Sequence, residues 1–471
     1  MNKPLSSQAE TSISESSEHD NMQQISAWLK AHHIKHVQCV MGDHTGIARG
    51  KVFPVNKFIE EAGCRLGETI LMQGVTGDLA EGKYLYTLAD ERDVDMLLKP
   101  DANACYLLPW ADEPTAMIIH HCVDHQGEDI KLSPRNLLKK VLSLYSSQGW
   151  RPIVAPEMEL YLAQTNTDAN VPLQPPEGKS GRIESGRQSF GIDAISEFEP
   201  LLKDIYQWAE QQNLGLDIVV HEEGTAQFEF NFNHGDPIHL ADQVTVFKRT
   251  VKAAAERHGI TATFMAKPIT GQPGSAMHIH QSIVDIASGK NIFADENSEH
   301  GLSELFSFYL GGLQAHIAEV MPMFAPNVNS YRRFLAGQAT PVNLHWGIEN
   351  RTVGLRVPDA PAQAKRVENR IPGADANPYL AIAATLICGY IGMMEKITPS
   401  VESTGKANRE VNDHLPLNIE ASLALMLNSK KIRHYLGNDF VDGFIATRQA
   451  EYNNYKSVIS SWERHYLLTT V

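Results

Sequence analysis

Two glutamates inside an apolar run constrain this chain more than any other feature. Pro156-Glu157-Met158-Glu159-Leu160 lies within residues 152–162, where Val154 and Tyr161 favour a strand. A strand has a side-chain period of two, so Glu157 and Glu159 face the same way. Neighbouring carboxylates repel and raise one another's pKa, and a divalent cation removes that penalty. The pair alone fits either a solvated edge strand or a metal-binding face. The rest of the chain has to supply strands that can stand opposite it.

A second acidic cluster occupies 217–233. Glu222 and Glu229 are seven residues apart and would face opposite ways on one straight strand. Gly224-Thr225-Ala226 between them permits a turn or bulge that brings them to one side. After Pro273-Gly274-Ser275-Ala276 come His278 and His280, two apart on an expected strand. Arginines then gather at Arg332, Arg333, Arg351 and Arg356, and Arg366, Glu368 and Arg370 alternate with Val367, Asn369 and Ile371. That alternation is a strand with one charged face, either on a solvated edge or opposite the glutamates.

Carboxylates with an imidazole suit Mg²⁺ or Mn²⁺ better than a thiolate-loving metal. Arginines around such ions suit phosphoryl transfer, where positioning and charge neutralisation supply most of the catalysis. No phosphate-binding GxxxxGK[ST] loop or kinase signature is present. Five cysteines without CxxC spacing argue against a zinc site or a disulfide framework, and suit a reducing compartment. A net charge of −15 disfavours nucleic acid or an anionic membrane as partner.

The 471 residues suggest two or three units. Residues 1–21 are Ser- and Glu-rich with no apolar core, so a disordered tail is expected. A small β-rich unit is expected over 22–125, with Asp43 in a Gly-Asp-His-Thr-Gly turn. A polar link at 124–131 precedes a second unit over 130–471, opened by the Ser133-Pro134 helix start. Asn377-Pro378 repeats that signature. The apolar stretch that follows is 16 residues long, too short for a typical span of about 20, so a buried helix is expected. Residues 166–192, rich in Pro, Gly, Ser and Gln, are too long for an idle connector and read as disordered or as a working loop. A soluble, cytoplasmic protein is expected.

This constellation resembles the glutamine synthetase family over roughly residues 22–465. Glu157-Met158-Glu159 is similar to its E-x-E strand, and His221-Glu222 through Gln227-Phe228-Glu229 to its H-E-x-x-x-G-Q-x-E segment. Lys267-Pro268 with Gly274-Ser275-Ala276-Met277-His278-Ile279-His280 resembles its K-P…G-S-G-M-H-x-H signature. Asn329 to Arg333, Asn350-Arg351 through Arg356-Val357-Pro358, Arg366 to Arg370, and Ala376-Asn377-Pro378 match in order.

The resemblance implies an α+β chain, an N-terminal β-grasp domain followed by a catalytic domain with an antiparallel sheet. It implies one metal at Glu159, Glu222 and Glu229, and a second at Glu157, His278 and Glu368. Arg333, Arg351 and Arg370, with Gly274, would bind glutamate and the transferring phosphate. Arg356 and Arg366 would hold ATP phosphates, with His280 and Ser282 lining the nucleotide pocket. Asp43 would reach the amine site of a neighbouring subunit in a ring of six or twelve, acting there with Glu222. The implied reaction joins the γ-carboxylate of glutamate to an amine, with ATP and two or more Mg²⁺ or Mn²⁺ per site.

The chain departs from the ammonia-using pattern at Thr225-Ala226, Pro273, Ala276, Ala339 and Phe190, and has no modification tyrosine near residues 412–416. These departures, with Tyr331-Arg332-Arg333-Phe334, look more like the γ-glutamylpolyamine (γ-glutamylputrescine) synthetase branch. Open alternatives are an ammonia-using glutamine synthetase, a monoamine ligase, a non-catalytic ring protein and, on the related catalytic domain, a guanidino kinase.

Overall fold

The computed structural model of the chain describes residues 7–80, 92–335, 340–407 and 415–471. Ala339 and residues 412–414, on which two of the sequence departures fall, lie outside the described residues.

The first sheet has the order β2-β1-β5-β4-β3, built from β1 (His36–Gly42), β2 (Ala48–Pro54), β3 (Cys64–Gly67), β4 (Asp95–Leu107) and β5 (Thr115–Val123). β1 and β5 run parallel, and the other neighbours are antiparallel. Val37, Cys39 and Met41 alternate inward along β1, as a period-two strand requires. They meet Ile25 and Leu29, whose spacing puts both on one helix face. That helix runs Ser7–Ala31, so it begins inside the stretch read as a disordered tail. Once Ile25 and Leu29 anchor its end, further turns add at little cost, because propagation is far easier than nucleation.

The second sheet carries the order β11-β12-β13-β10-β6-β8-β7, with β9 also paired to β6. Its strands are β6 (Trp150–Gln164), β7 (Leu216–His221), β8 (Gln227–Phe232), β9 (Ile260–Thr263), β10 (Met277–Asp285), β11 (Trp346–Ile348), β12 (Leu355–Val357) and β13 (Val367–Asn369). Only β11 and β12 pair in parallel. The charged alternation at 366–371 forms a strand only over its central three residues.

Helices cover the apolar side of this sheet. Pro134–Ser147 and Pro378–Glu395 both start as their sequences imply: Ser133 accepts from the Asn136 amide, Asn377 from those of Tyr379 and Leu380, and each has Pro at the first turn. The apolar helix Pro378–Glu395 is long and apolar enough to cross a membrane, yet it is buried inside the protein. It crosses the helix Glu304–Phe324 at Gly312 and Gly392, where an added Cβ on Gly312 would meet the Gly392 backbone at 2.6 Å. Only glycine permits that approach. Each large apolar side chain packed here is worth about 1.5–3 kcal/mol.

A buried ion network ties the first sheet to the helices that cover the second. Arg135 donates to both oxygens of Asp242 at 3.0 and 2.8 Å and to Asp101 on β4 at 2.7 Å, while the Tyr379 hydroxyl donates to Asp242 at 2.6 Å.

Candidate active site

Strand register decides which charged groups meet. Glu157 on β6 stands opposite His278 on β10 and Asn231 on β8, and Glu159 stands opposite Glu229. Glu368 on β13 lies between His280 on one side and Arg356 on the other. β7 and β8 form a hairpin whose turn holds Glu222 and takes a left-handed backbone at Ala226. The turn read from Gly224-Thr225-Ala226 therefore does bring Glu222 and Glu229 to one side. All five carboxylates and His278 line one cavity of about 400 Å³, together with Arg351, Arg356, Arg370 and Gly274.

Charge pairing within the cavity is uneven. His280 Nε2 lies 2.8 Å from Glu157 Oε1, and His278 Nδ1 lies 3.3 Å from Glu157 Oε2. Arg356 donates to Glu368 at 2.8 Å, and Arg370 donates to its other oxygen. Burial, the largest effect on Glu368, pushes its carboxyl up, but Arg370 and the histidines outweigh it and hold it at about 2. Burial likewise pushes Glu157 up, and the contacts from His278 and His280 bring it well below the usual range. Burial pushes the His278 imidazole down, toward the neutral form that can ligate a metal. Among the described residues, neither Glu159 nor Glu229 has an ion pair, and the pull of Arg333 and Arg370 on Glu159 is outweighed. Burial and neighbouring carboxylates push Glu159 up to about 8 and Glu229 up to about 10.

This donor set fits a divalent cation. Ligand atoms of Glu157, Glu229 and His278 lie within 4.8 Å of one another, and so do those of Glu157, His280 and Glu368. The grouping differs from the one implied by resemblance. Glu157 stands opposite His278, and its carboxylate also reaches His280, so it belongs to both sets, and His280 joins Glu368. Glu159, which lines the same cavity, accepts from the Ala276 amide at 2.8 Å and from Gln227 at 3.2 Å. These residues would hold Mg²⁺ or Mn²⁺, and such an ion supplies charge neutralisation for phosphate oxygens.

A second cavity of about 520 Å³ opens on the far side of Glu157 and holds His280, Ser282 and Arg366. Arg366 Nε donates to His280 Nδ1 at 3.2 Å. Ile218 and Asn231 line both cavities, as Glu157 does. The two spaces therefore meet at the acidic strand, as required for a phosphate donor on one side and a carboxylate acceptor on the other. Arg333 is buried, with one guanidinium nitrogen on the Ile371 carbonyl at 3.0 Å and its Nε without a partner among the described residues. It packs beneath Gly274, where an added Cβ would lie 2.5 Å from Arg333 Cγ.

Asp43 is not brought to either cavity of its own chain. It is fully buried in the 43–47 turn, where it accepts from Thr45 and Ile47 amides and from Arg49 Nε at 2.7 Å. Within the chain it is a turn residue.

Sequence reasoning missed three contributors. Asn231, opposite Glu157, has a buried Oδ1 with no partner among the described residues. Glu184, in the 166–192 loop, accepts from the Ala226 amide at 2.9 Å and lies 3.0 Å from His221 Nε2. Glu223 lines the first cavity and pairs with Arg187 of the same loop. Asn231 was findable, since it continues the Gln227, Glu229 alternation. Glu184 and Glu223 had no local signal.

Residues 131–467 match the family "Glutamine synthetase, catalytic domain". The chain is 30% identical over 443 residues to a glutamate–isopropylamine ligase of a Pseudomonas species, covering 93% of this chain and 95% of that one. It is 32% identical over 455 residues to the γ-glutamylputrescine synthetase PuuA of Escherichia coli K12, covering 95% and 94%. It is 30% identical over 449 residues to a glutamine synthetase of Methanococcus voltae, covering 93% and 96%. The ligand-free structure of GmaS superposes with a TM-score of 0.80 at 27% identity, covering 94% of this chain and 98% of that one. The carboxylate-lined cavity, the second cavity behind it and these likenesses agree: the chain belongs to the glutamine synthetase family and is an ATP-dependent glutamate ligase.

Proposed function

We propose that this ligase joins the γ-carboxylate of glutamate to an alkyl amine larger than ammonia, with a polyamine such as putrescine or spermidine as the favoured class. A γ-carboxylate oxygen attacks the terminal phosphorus of ATP, ADP leaves, and γ-glutamyl phosphate forms. The amine nitrogen then attacks the carbonyl carbon, phosphate leaves, and an N–H proton passes to a base. Glu222 is the base of choice, because burial raises its carboxyl toward a useful pKa. Arg333, Arg351 and Arg370 supply positive charge for glutamate and the transferring phosphate, and Arg356 and Arg366 for ATP.

The observation that carries the amine assignment is the wall beside Glu222. Ile218, Val220 and Phe190, whose amide donates to the carbonyl of His221, line the cavity that holds Glu222. A small ammonium ion needs several polar acceptors, since burying an unpaired charge is costly. Apolar walls instead favour a carbon chain, each buried methylene being worth about 0.8 kcal/mol. Likeness to the isopropylamine ligase supports a second reading, a monoamine acceptor. The test is phosphate release with glutamate and ATP across ammonium, putrescine, spermidine, ethanolamine and isopropylamine. The highest kcat/KM is expected for a polyamine, and the highest value for ammonium would refute the reading. Glu159→Ala and Glu368→Ala should each abolish ADP release. A ring of six or twelve subunits, with two or more ions per site, completes the proposal, and sedimentation of a fully active monomer would contradict the ring.

A further inference from the structure

The geometry points to Glu223 as the residue that selects amines carrying a second positive charge. The inference rests on the amine-ligase reading and deepens it to a substrate class, the diamines and longer polyamines. Glu222 and Glu223 are consecutive in the turn between β7 and β8, and both line the first cavity. Their surroundings differ. Glu222 lies among the metal-type carboxylates and within the field of Arg351 and Arg370. Glu223 stands at the rim, one-third exposed, and its carboxylate already holds a cation, the guanidinium of Arg187.

Arg187 is itself 60% exposed and comes from the 166–192 loop. Exposed ion pairs are weak, so an incoming ammonium group can displace it. The apolar side chains of Phe190, Ile218 and Val220 line the same cavity as the two carboxylates. An acid for the reacting nitrogen, an apolar wall and an acid for the far end match a short chain with an amine at each end. The distal amine keeps its proton near neutral pH, because an alkylamine of the lysine type has a pKa of about 10.4. A monoamine of the same length would fill the wall and leave Arg187 on Glu223.

The test uses the full-length enzyme with glutamate and ATP, comparing putrescine with n-butylamine and ammonium in wild type, Glu223→Gln and Arg187→Gln. Glu223→Gln should raise KM for putrescine by about tenfold, with kcat and the butylamine KM changed by less than about twofold. Arg187→Gln should lower KM for putrescine, because it removes the competing cation. If Glu223 only anchors the loop through Arg187, the two variants would behave alike on every amine, and the inference is overturned. It is also overturned if Glu223→Gln affects butylamine and putrescine equally, or if the wild type does not prefer putrescine to butylamine. In those cases the alkyl-amine reading still stands. It falls separately if ammonium gives the highest kcat/KM.

Discussion

Removing the Glu184 carboxylate should disable the site without touching a substrate. Glu184 clasps the β7–β8 hairpin at two points, the His221 ring at 3.0 Å and the Ala226 amide at 2.9 Å. His221 is fully buried, and its other nitrogen lies 2.8 Å from the Glu222 carbonyl. Ala226 holds a left-handed backbone, which costs a non-glycine residue energy that its contacts must offset. In Glu184→Ala both partners lose their acceptor, and each unsatisfied buried group costs about 1–3 kcal/mol. A net penalty of about 2 kcal/mol on the hairpin shifts its equilibrium away from the productive arrangement by about thirtyfold. The kcat/KM for glutamate should therefore fall by up to about thirtyfold. Glu184→Gln, which keeps an acceptor for Ala226, should lose less. Initial-rate phosphate release measures the loss, and amide hydrogen exchange over 216–232 should rise in parallel. Glu184→Ala with activity within about twofold of wild type and unchanged exchange would refute the clasp.

Three further outcomes follow from the geometry. Gly274→Ala should raise KM for glutamate and cost about 1–3 kcal/mol, because its Cβ would lie 2.8 Å from the Ala266 carbonyl and 2.5 Å from Arg333 Cγ; glutamate titration and thermal melting check it. Burial raises the Asp101 carboxyl, but His121 and Arg135 outweigh it and hold it well below its ordinary value, so its contribution to stability is present above pH ~4 and lost as pH falls through the depressed value. The melting-temperature gap between wild type and Asp101→Asn should thus be full at pH 7 and shrink below pH ~4. Mg²⁺ or Mn²⁺ should raise the melting temperature, and the rise should grow from pH 6 to pH ~8.5, since Glu159 and Glu229 must shed protons as the ion binds; a rise that shrinks with pH would contradict the carboxylate site.

The chain's local chemistry was legible wherever one element carried its own signal. Glu157 and Glu159 in an apolar run read as a strand with an acidic face, and they lie on β6. The break between Glu222 and Glu229 was legible because an odd spacing reaches one face only through a turn or bulge, and the fold takes the turn. The helix starts at Ser133-Pro134 and Asn377-Pro378 were legible because capping is a property of four or five consecutive residues. The limits were equally local. A three-residue β13 looked longer in sequence because alternation does not say how far a partner strand extends.

What tertiary structure alone decided is which charge meets which. Register set Glu157 opposite His278 and His280 opposite Glu368, and side-chain reach carried Glu157 to His280 as well; no single strand contains that fact. The clasp of Glu184 on His221 spans 37 positions, and the link of Arg135 to Asp242 spans 107. The same holds for Asp43, whose sequence allows both a turn and a distant site, and whose oxygens the fold engages with Thr45, Ile47 and Arg49. Propensity and periodicity are short-range, set by steric and hydrogen-bond preferences over a few residues. Electrostatic pairing depends on distance in space, and that distance exists only once the strands have aligned.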